Sequence, residues 1–256
     1  MTDWQKVFDD ERMCVIVPTY NNERTIADVL RRVQAYTRNI IVVNDGSTPE
    51  TLAVIRTLSE LPEIVSYTPN RGKGYALMQG FRRALELGYR YAVTIDSDGQ
   101  HFPEDIPAVI DCHIANNDAI VVGSRNLTAD NMPSRNTFAN KFSNFWFHLQ
   151  TGIRLEDTQS GFRLYPLGRI NLRWPITPRY EAELELLVFS AWRGVPVVSV
   201  PVRVYYPPEG ERVSHFRPFW DFFRITVLNS VLTIISLFTS IPVRLWKRMT
   251  GGCCNR

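Results

Sequence analysis

Five short apolar runs, at 13–17, 40–43, 64–67, 91–95 and 119–122, each give way at once to a polar motif. The motifs are Pro18-Thr19-Tyr20-Asn21-Asn22-Glu23, Asn44-Asp45-Gly46-Ser47-Thr48, Asn70-Arg71-Gly72-Lys73-Gly74, Asp96-Ser97-Asp98 and Gly123-Ser124-Arg125. Between the runs lie helical spacings, clearest in Ile26, Val29, Leu30, Val33 and in Leu77, Phe81, Ala84, Leu85. Strand and helix in alternation predict an α/β fold, a mostly parallel central sheet flanked by helices on both faces. In such sheets ligands bind beyond the carboxyl ends of the strands, which is where all five motifs fall.

Each motif alone has a modest reading. Asn-Asp-Gly-Ser is turn chemistry, and the glycines could serve only to admit positive φ. Asp96-Ser97-Asp98 could cap the helix that Pro103-Glu104-Asp105 opens, with acids at the positive end of its dipole. The sharper reading follows from the period of a strand: Asp96 and Asp98 lean one way while Ser97 points elsewhere. Two hard oxygen ligands then face one point, the arrangement that holds a divalent cation against a diphosphate. Five such strand ends on one sheet edge favour a binding site over loop chemistry.

At 256 residues and 45% hydrophobic content the chain can bury a full core as one large domain. Cys14, Cys112, Cys253 and Cys254 lack paired metal spacing, which predicts neither zinc nor disulfides and fits a reducing, cytosol-facing environment. Residues 1–12 are too polar to read as a signal peptide. No Gly-x-Gly-x-x-Gly follows the first run, which argues against a dinucleotide dehydrogenase. After residue 150 the alternation loosens; the spacing predicts a helix near 181–193 and an extended segment over 197–206. Residues 1–218 are expected to form the main domain, and 219–256 a basic, aromatic C-terminal helix and tail.

The motifs, in order and spacing, resemble those of the family 2 glycosyltransferases of GT-A fold. Through Asp157-Thr158-Gln159-Ser160-Gly161-Phe162-Arg163-Leu164-Tyr165 and Val200-Pro201-Val202 the chain is more similar to the branch containing dolichyl-phosphate mannose synthase and the bacterial polyprenyl-phosphate sugar transferases. The resemblance covers roughly residues 12–217. It implies a UDP- or GDP-hexose donor and Mg²⁺ or Mn²⁺, with Pro18, Tyr20 and Glu23 shaping the nucleoside pocket and Asp45 hydrogen-bonding the base. Lys73 is placed near the nucleotide, with Ser97 and Arg125 on the donor side. Asp96 and Asp98 form the metal motif, Asp98 as the direct ligand, with Gln100 or His101 close by; a lone His after a turn also serves as a capping residue.

Transfer in this family inverts the anomeric centre by one in-line displacement. A hydroxyl acceptor needs a general base, and Asp157 is the carboxylate the resemblance points to. A lipid phosphate has a second pKa near 6 and is largely ionised at neutral pH, so that Asp157 would orient rather than deprotonate. Arg163 is read either as a phosphate contact or as a partner for a carboxylate such as Glu183. Arg135 and Lys141 lie in a stretch, 133–152, that reads as an aromatic amphipathic helix with Phe142, Phe145, Trp146 and Leu149. In the lipid-phosphate branch a basic segment and a serine here grip the acceptor phosphate; this chain has Asn140 where the serine is expected.

From residue 200 onward eight Lys/Arg stand against three Asp/Glu, and residues 225–243 carry no charge. Three readings compete for that stretch: a helix in the plane of a membrane surface, a marginal span, or a helix packed on the protein or a second subunit. Phe219, Trp220, Phe222, Phe223 and Trp246 suit headgroup depth, and Arg217, Arg224, Arg244, Lys247 and Arg248 suit anionic lipid. Cys253 and Cys254 are read as an ordinary tail or as acylation sites. The expected partners are a nucleotide-sugar donor, a lipid-phosphate acceptor and a membrane surface at the cytoplasmic face; no nucleic acid is expected, and a homo-oligomer stays open. Transfer to a hydroxyl of a glycolipid, polysaccharide or protein is the alternative, and an inactive nucleotide-sugar-binding scaffold the remote one.

Overall fold

A computed structural model describes residues 2–58, 60–116, 118–125, 134–173, 177–206 and 218–243, apart from the side chains of 134–139, 218, 219, 221 and 222. The basic residues Arg217, Arg244, Lys247 and Arg248, the side chains of Arg135, Phe219 and Phe222, and Trp246, Cys253 and Cys254 lie outside the described residues.

The chain runs α1 (Trp4–Asp10), β1 (Met13–Thr19), α2 (Ile26–Gln34), β2 (Ile40–Asp45), α3 (Pro49–Ile55), β3 (Glu63–Tyr67), α4 (Lys73–Glu86) and β4 (Tyr91–Thr94). A 3-10 turn at Pro103–Asp105 leads into α5 (Ile106–Ala115), β5 (Ile120–Arg125), α6 (Ser134–Thr151), β6 (Arg163–Pro166), α7 (Glu181–Trp192), β7 (Val197–Val202) and α8 (Pro218–Phe238). One sheet of seven strands has the order β3-β2-β1-β4-β6-β5-β7. All neighbours are parallel except at β6, which is antiparallel to both β4 and β5.

Period-two alternation divides the core between the two faces. Cys14, Ile16, Ile41, Val43 and Tyr165 pack with α4, α6, α7 and α8, while Met13, Val15, Val17, Ile40, Val42 and Leu164 pack with α1, α2 and α5. Both faces of β1 and β2 are buried, which is why those strands read as unbroken apolar runs.

Strand order reverses between β1 and β4, and the two strands part there: their pairing ends at Ile16↔Thr94 while β1 continues to Thr19. Pro18, which has no N–H to give, sits beyond that last pair and takes its register from β2 alone. The crevice so opened is the switch point at which open α/β sheets bind ligands.

The segment through Arg163, to which the sequence assigns no element, is a strand that separates β4 from β5. Its four residues are too short to announce themselves beside the turn-rich Asp157-Thr158-Gln159-Ser160-Gly161. Among the described residues no helix is long and apolar enough to cross a membrane, so the marginal-span reading fails. Helix α8 packs on α6 and α7 instead, through buried Leu228, Asn229, Leu232 and Ser236. Gln150 of α6 donates to the Asn229 carbonyl at 3.1 Å and to Thr233 Oγ1 at 3.0 Å. The opposite stripe of α8, including Trp220, Phe223, Val227, Val231, Ile234 and Phe238, is exposed.

Candidate active site

The loops after β1 and β4 are stitched across the crevice by Ser97. Its hydroxyl donates to the Pro18 carbonyl at 2.9 Å and accepts from Asn22 Nδ2 at 2.7 Å, while its own carbonyl accepts from Thr25 Oγ1 at 2.6 Å. Ser97 lies in the turn beyond the end of β4 at Thr94, rather than on the strand, and is buried there, where it braces the Asp-Ser-Asp turn. Asp98 Oδ1 accepts from the Gln100 N–H at 3.0 Å, closing that turn. Past Gln100 the loop is fastened to the extension of β7: Tyr205 N–H donates to the Gln100 carbonyl at 2.8 Å, and His101 bridges Val204. Arg32 and Arg203 both stack on the ring of Phe102, at 5.1 and 5.2 Å, and hold Glu104 and Asp105 respectively.

Lys73 is the first residue of α4, entered through Gly72 at φ +99°, a conformation that L side chains avoid. Its ammonium lies 2.7 Å from Asp96 Oδ1, 2.9 Å from Asp96 Oδ2 and 2.9 Å from Glu183 Oε2. Burial alone would lower the lysine pKa, but the two carboxylates hold it above its usual value. Burial likewise works against the Asp96 carboxylate, yet Lys73 above all, with the charge of Arg163, keeps it below the usual range. Asp98 lacks such a cation: burial and the charge of Asp96 push it up to about 6. Gly161 lies over the Asp96–Lys73 pair, where an added Cβ would stand 2.3 Å from Asp96 Oδ2 and 2.6 Å from Lys73 Nζ.

His101 is buried against Phe162, and burial drops its pKa to about 4, so it is neutral. Its Nδ1 meets no donor or acceptor. Among the described residues no three His, Cys, Asp or Glu side chains form a metal cage. Two hard carboxylates whose mutual repulsion is unrelieved at Asp98 nonetheless suit a divalent cation that takes its other ligands from a diphosphate and water.

Asp157 is fully buried. Arg125 grips it in a fork, Nε to Oδ2 at 2.5 Å and Nη2 to Oδ1 at 2.9 Å, and Asn140 Nδ2 and the Gln159 N–H also donate to Oδ1. Burial raises the carboxyl pKa, but the Arg125 fork outweighs it and holds Asp157 below the usual range. Asn140, the departure from the expected serine, is thus the residue that ties α6 to Asp157. The charges of Asp96, Arg125, Lys73 and Asp157 all act on His101, so the strand ends of β4 and β5 share one site.

The Asp45 carboxylate accepts from Arg71 N–H at 2.7 Å, Gly72 N–H at 2.8 Å and Asn70 Nδ2 at 2.9 Å, and so shapes the entry to α4. Arg163 hydrogen-bonds Glu183 through that residue's main-chain carbonyl and feels the charge of its carboxylate. Fully buried, it donates to the carbonyls of Ser160, Glu183 and Thr158 and to the Tyr165 hydroxyl, fixing the 157–163 segment. Lys141 is exposed on α6, beside but not within the Asp157 cluster. Glu23 is exposed, with only a 3.5 Å contact from Thr51 Oγ1, and Tyr20 is half-buried on the same loop. Glu183 as the partner of Lys73, and Gly161 as the gap above it, escaped sequence reasoning; the buried acids at the head of α7 were the one signal.

Residues 14–165 match the family described as Glycosyl transferase family 2. The UDP-N-acetylglucosamine–dolichyl-phosphate N-acetylglucosaminyltransferase of Methanococcus voltae is 31% identical over 218 residues, 77% of this chain and 87% of that protein. The polyprenol monophosphomannose synthase of Mycolicibacterium smegmatis is 30% identical over 204 residues, 75% of this chain and 77% of that protein. Among solved structures, glucosyl-3-phosphoglycerate synthase from Mycobacterium tuberculosis, crystallised with Mn²⁺, UDP-glucose and phosphoglyceric acid, superposes with a TM-score of 0.65 at 19% identity, covering 91% of this chain and 82% of that one. That likeness fixes the fold as GT-A. With the family match spanning the sheet from β1 to β6 and all the strand-end motifs in place, the chain belongs to glycosyl transferase family 2 and is a glycosyltransferase.

Proposed function

We propose that this enzyme moves a hexose from a UDP- or GDP-sugar to a polyprenyl phosphate held at a membrane, with inversion at the anomeric carbon. The observation that carries the reading is the state of Asp157. Buried, depressed in pKa and gripped by Arg125 and Asn140, it is poorly placed to take a proton from a hydroxyl. A phosphate monoester near neutral pH needs no such base. The dolichyl-phosphate and polyprenol acceptors printed in the names of the two relatives agree with this acceptor class.

Asp96 and Asp98 would hold the cation, and Lys73, beside Asp96, would face the diphosphate. A bound Mg²⁺ or Mn²⁺ supplies Lewis-acid stabilisation of the departing nucleoside diphosphate. Arg125, expected on the donor side, is held in place by the Asp157 fork. Residues 219–256 form the membrane-facing appendage. The exposed apolar stripe of α8 lies against the lipid surface in the plane of the cytoplasmic face, helped by the basic residues of the C-terminal tail.

A panel of UDP- and GDP-sugars with Mn²⁺ or Mg²⁺, with and without a short-chain polyprenyl phosphate, tests the proposal. Lipid-dependent transfer is expected, lost in Asp98→Ala and only slowed in Asp157→Asn. Transfer to a hydroxyl acceptor, abolished in Asp157→Asn, would replace the lipid-phosphate reading.

A further inference from the structure

Glu183 lies in the first turn of α7 with its side chain 7% exposed. Its Oε2 is held by Lys73 at 2.9 Å, its main-chain carbonyl accepts from Arg163 Nη1 at 2.8 Å, and its Oε1 is buried without any partner. Buried carboxylate oxygens ordinarily find donors, and one left bare in a well-ordered element marks a place where something else supplies the donor.

The surroundings define what can enter. Lys73 is shared between Glu183 and Asp96, and the charge of buried Arg163 also acts on Glu183, so charge near this carboxylate is already supplied and the bare Oε1 calls for a hydrogen-bond donor. Exposure falls from Asp96 at 24% through Lys73 at 14% to Glu183 at 7%, so Glu183 is the most enclosed of the three. The Gly161 backbone approaches the Asp96–Lys73 pair so closely that a Cβ there would collide with both. A molecule whose diphosphate meets Asp96, Asp98 and Lys73 carries its hydroxyl-bearing ring one bond further on.

We propose that Glu183 is a specificity-determining residue, accepting through Oε1 a hydrogen bond from a ring hydroxyl of the donor hexose. The assignment rests on the nucleotide-sugar reading given above. It differs from a role in which Glu183 merely holds Lys73, because only direct contact with the sugar distinguishes a nucleotide sugar from its bare nucleoside diphosphate.

Calorimetric titration with UDP, GDP and their hexose conjugates in the presence of Mn²⁺, on the wild-type protein, Glu183→Gln and Glu183→Ala, separates the two. The alanine variant is expected to bind the nucleotide sugar about 10- to 100-fold more weakly, the worth of a hydrogen bond to a charged acceptor. Its affinity for the bare diphosphate should change less than about threefold, which also reports that it folds; glutamine, which keeps an acceptor oxygen, should fall between. Within a series of deoxy-sugar nucleotides, the analogue lacking the contacted hydroxyl should be indifferent to the substitution. Equal weakening of diphosphate and nucleotide sugar would overturn the proposal in favour of a role through Lys73, and unchanged affinity for both would leave Oε1 without function. If the wild-type protein binds no nucleotide sugar, it is the donor reading itself that fails.

Discussion

Replacing Gly161 by alanine isolates the contribution of the Asp96–Lys73 pair to catalysis. The backbone there does not require positive φ, so the added methyl does not strain the chain itself. Its Cβ would stand 2.3 Å from Asp96 Oδ2 and 2.6 Å from Lys73 Nζ, whereas ordinary contact begins near 3.4 Å. The carboxylate must therefore retreat by about 1 Å, and a displacement of that size at a reacting centre costs about 100-fold in rate, or about 2.7 kcal/mol of barrier. Stability should fall by no more than about 2.6 kcal/mol, because the entropy gained in replacing glycine, about 0.4–1 kcal/mol, opposes an overpacking strain of about 1–3 kcal/mol. Initial rates of sugar transfer under saturating Mn²⁺, read beside thermal unfolding, measure both quantities. A variant that folds and turns over within about threefold of wild type would refute the argument, since the pair would then tolerate displacement.

Arg163→Met should destabilise the fold by at least about 3 kcal/mol in urea unfolding, because it leaves three carbonyls and a hydroxyl without their donor; a loss under about 1 kcal/mol would contradict the role assigned to that guanidinium. The raised pKa of Asp98 also has a pH signature. Folded Asp98 keeps its proton up to about 6 while an unfolded aspartate releases it near 3.8, so the metal-free fold loses stability as pH climbs through that window. Thermal stabilisation by Mn²⁺ should accordingly be strong at pH 7.5 and weak at pH 5 in the wild type, and an equal effect at both would rule out Asp98 as a ligand. Val231→Glu combined with Ile234→Glu, on the exposed stripe of α8, should leave unfolding unchanged and reduce cosedimentation with anionic vesicles severalfold; undiminished binding would remove α8 from the membrane contact.

What the sequence reveals and what it hides divide along physical lines. Strands β1, β2, β4 and β5 are legible because burial on both faces writes unbroken apolar runs, and helices α2 and α4 because burial on one face writes a 3.6-residue period. The strand-end motifs follow from the geometry of parallel sheets; the burial of Ser97 does not, since it lies in the turn beyond the end of β4 at Thr94. Strand β6 is hidden by its brevity, and α1 by a charged composition that still buries Phe8. Charged side chains are the least legible of all. Asp45, Arg163 and Asp157 look alike in sequence as polar residues in promising motifs, yet each is engaged by neighbours that come from other elements. Whether a carboxylate or guanidinium is free for a ligand depends on those tertiary partners, and a motif does not encode them.

The reversed strand β6 constrains how this chain can diverge. Because successive residues point to opposite faces, Arg163 and Tyr165 share one side with Glu183 while Leu164 joins the other core. A single-residue insertion or deletion between Asp157 and Arg163 would shift either the pairing with β4 and β5 or the reach back to Arg125, exchanging a buried guanidinium for a leucine across the sheet. Substitutions in this stretch can be absorbed one side chain at a time, but its length cannot change without dismantling both halves of the site. Descendants of this sequence should therefore vary freely in loop length elsewhere on the molecule and hold the six-residue separation of Asp157 and Arg163 fixed.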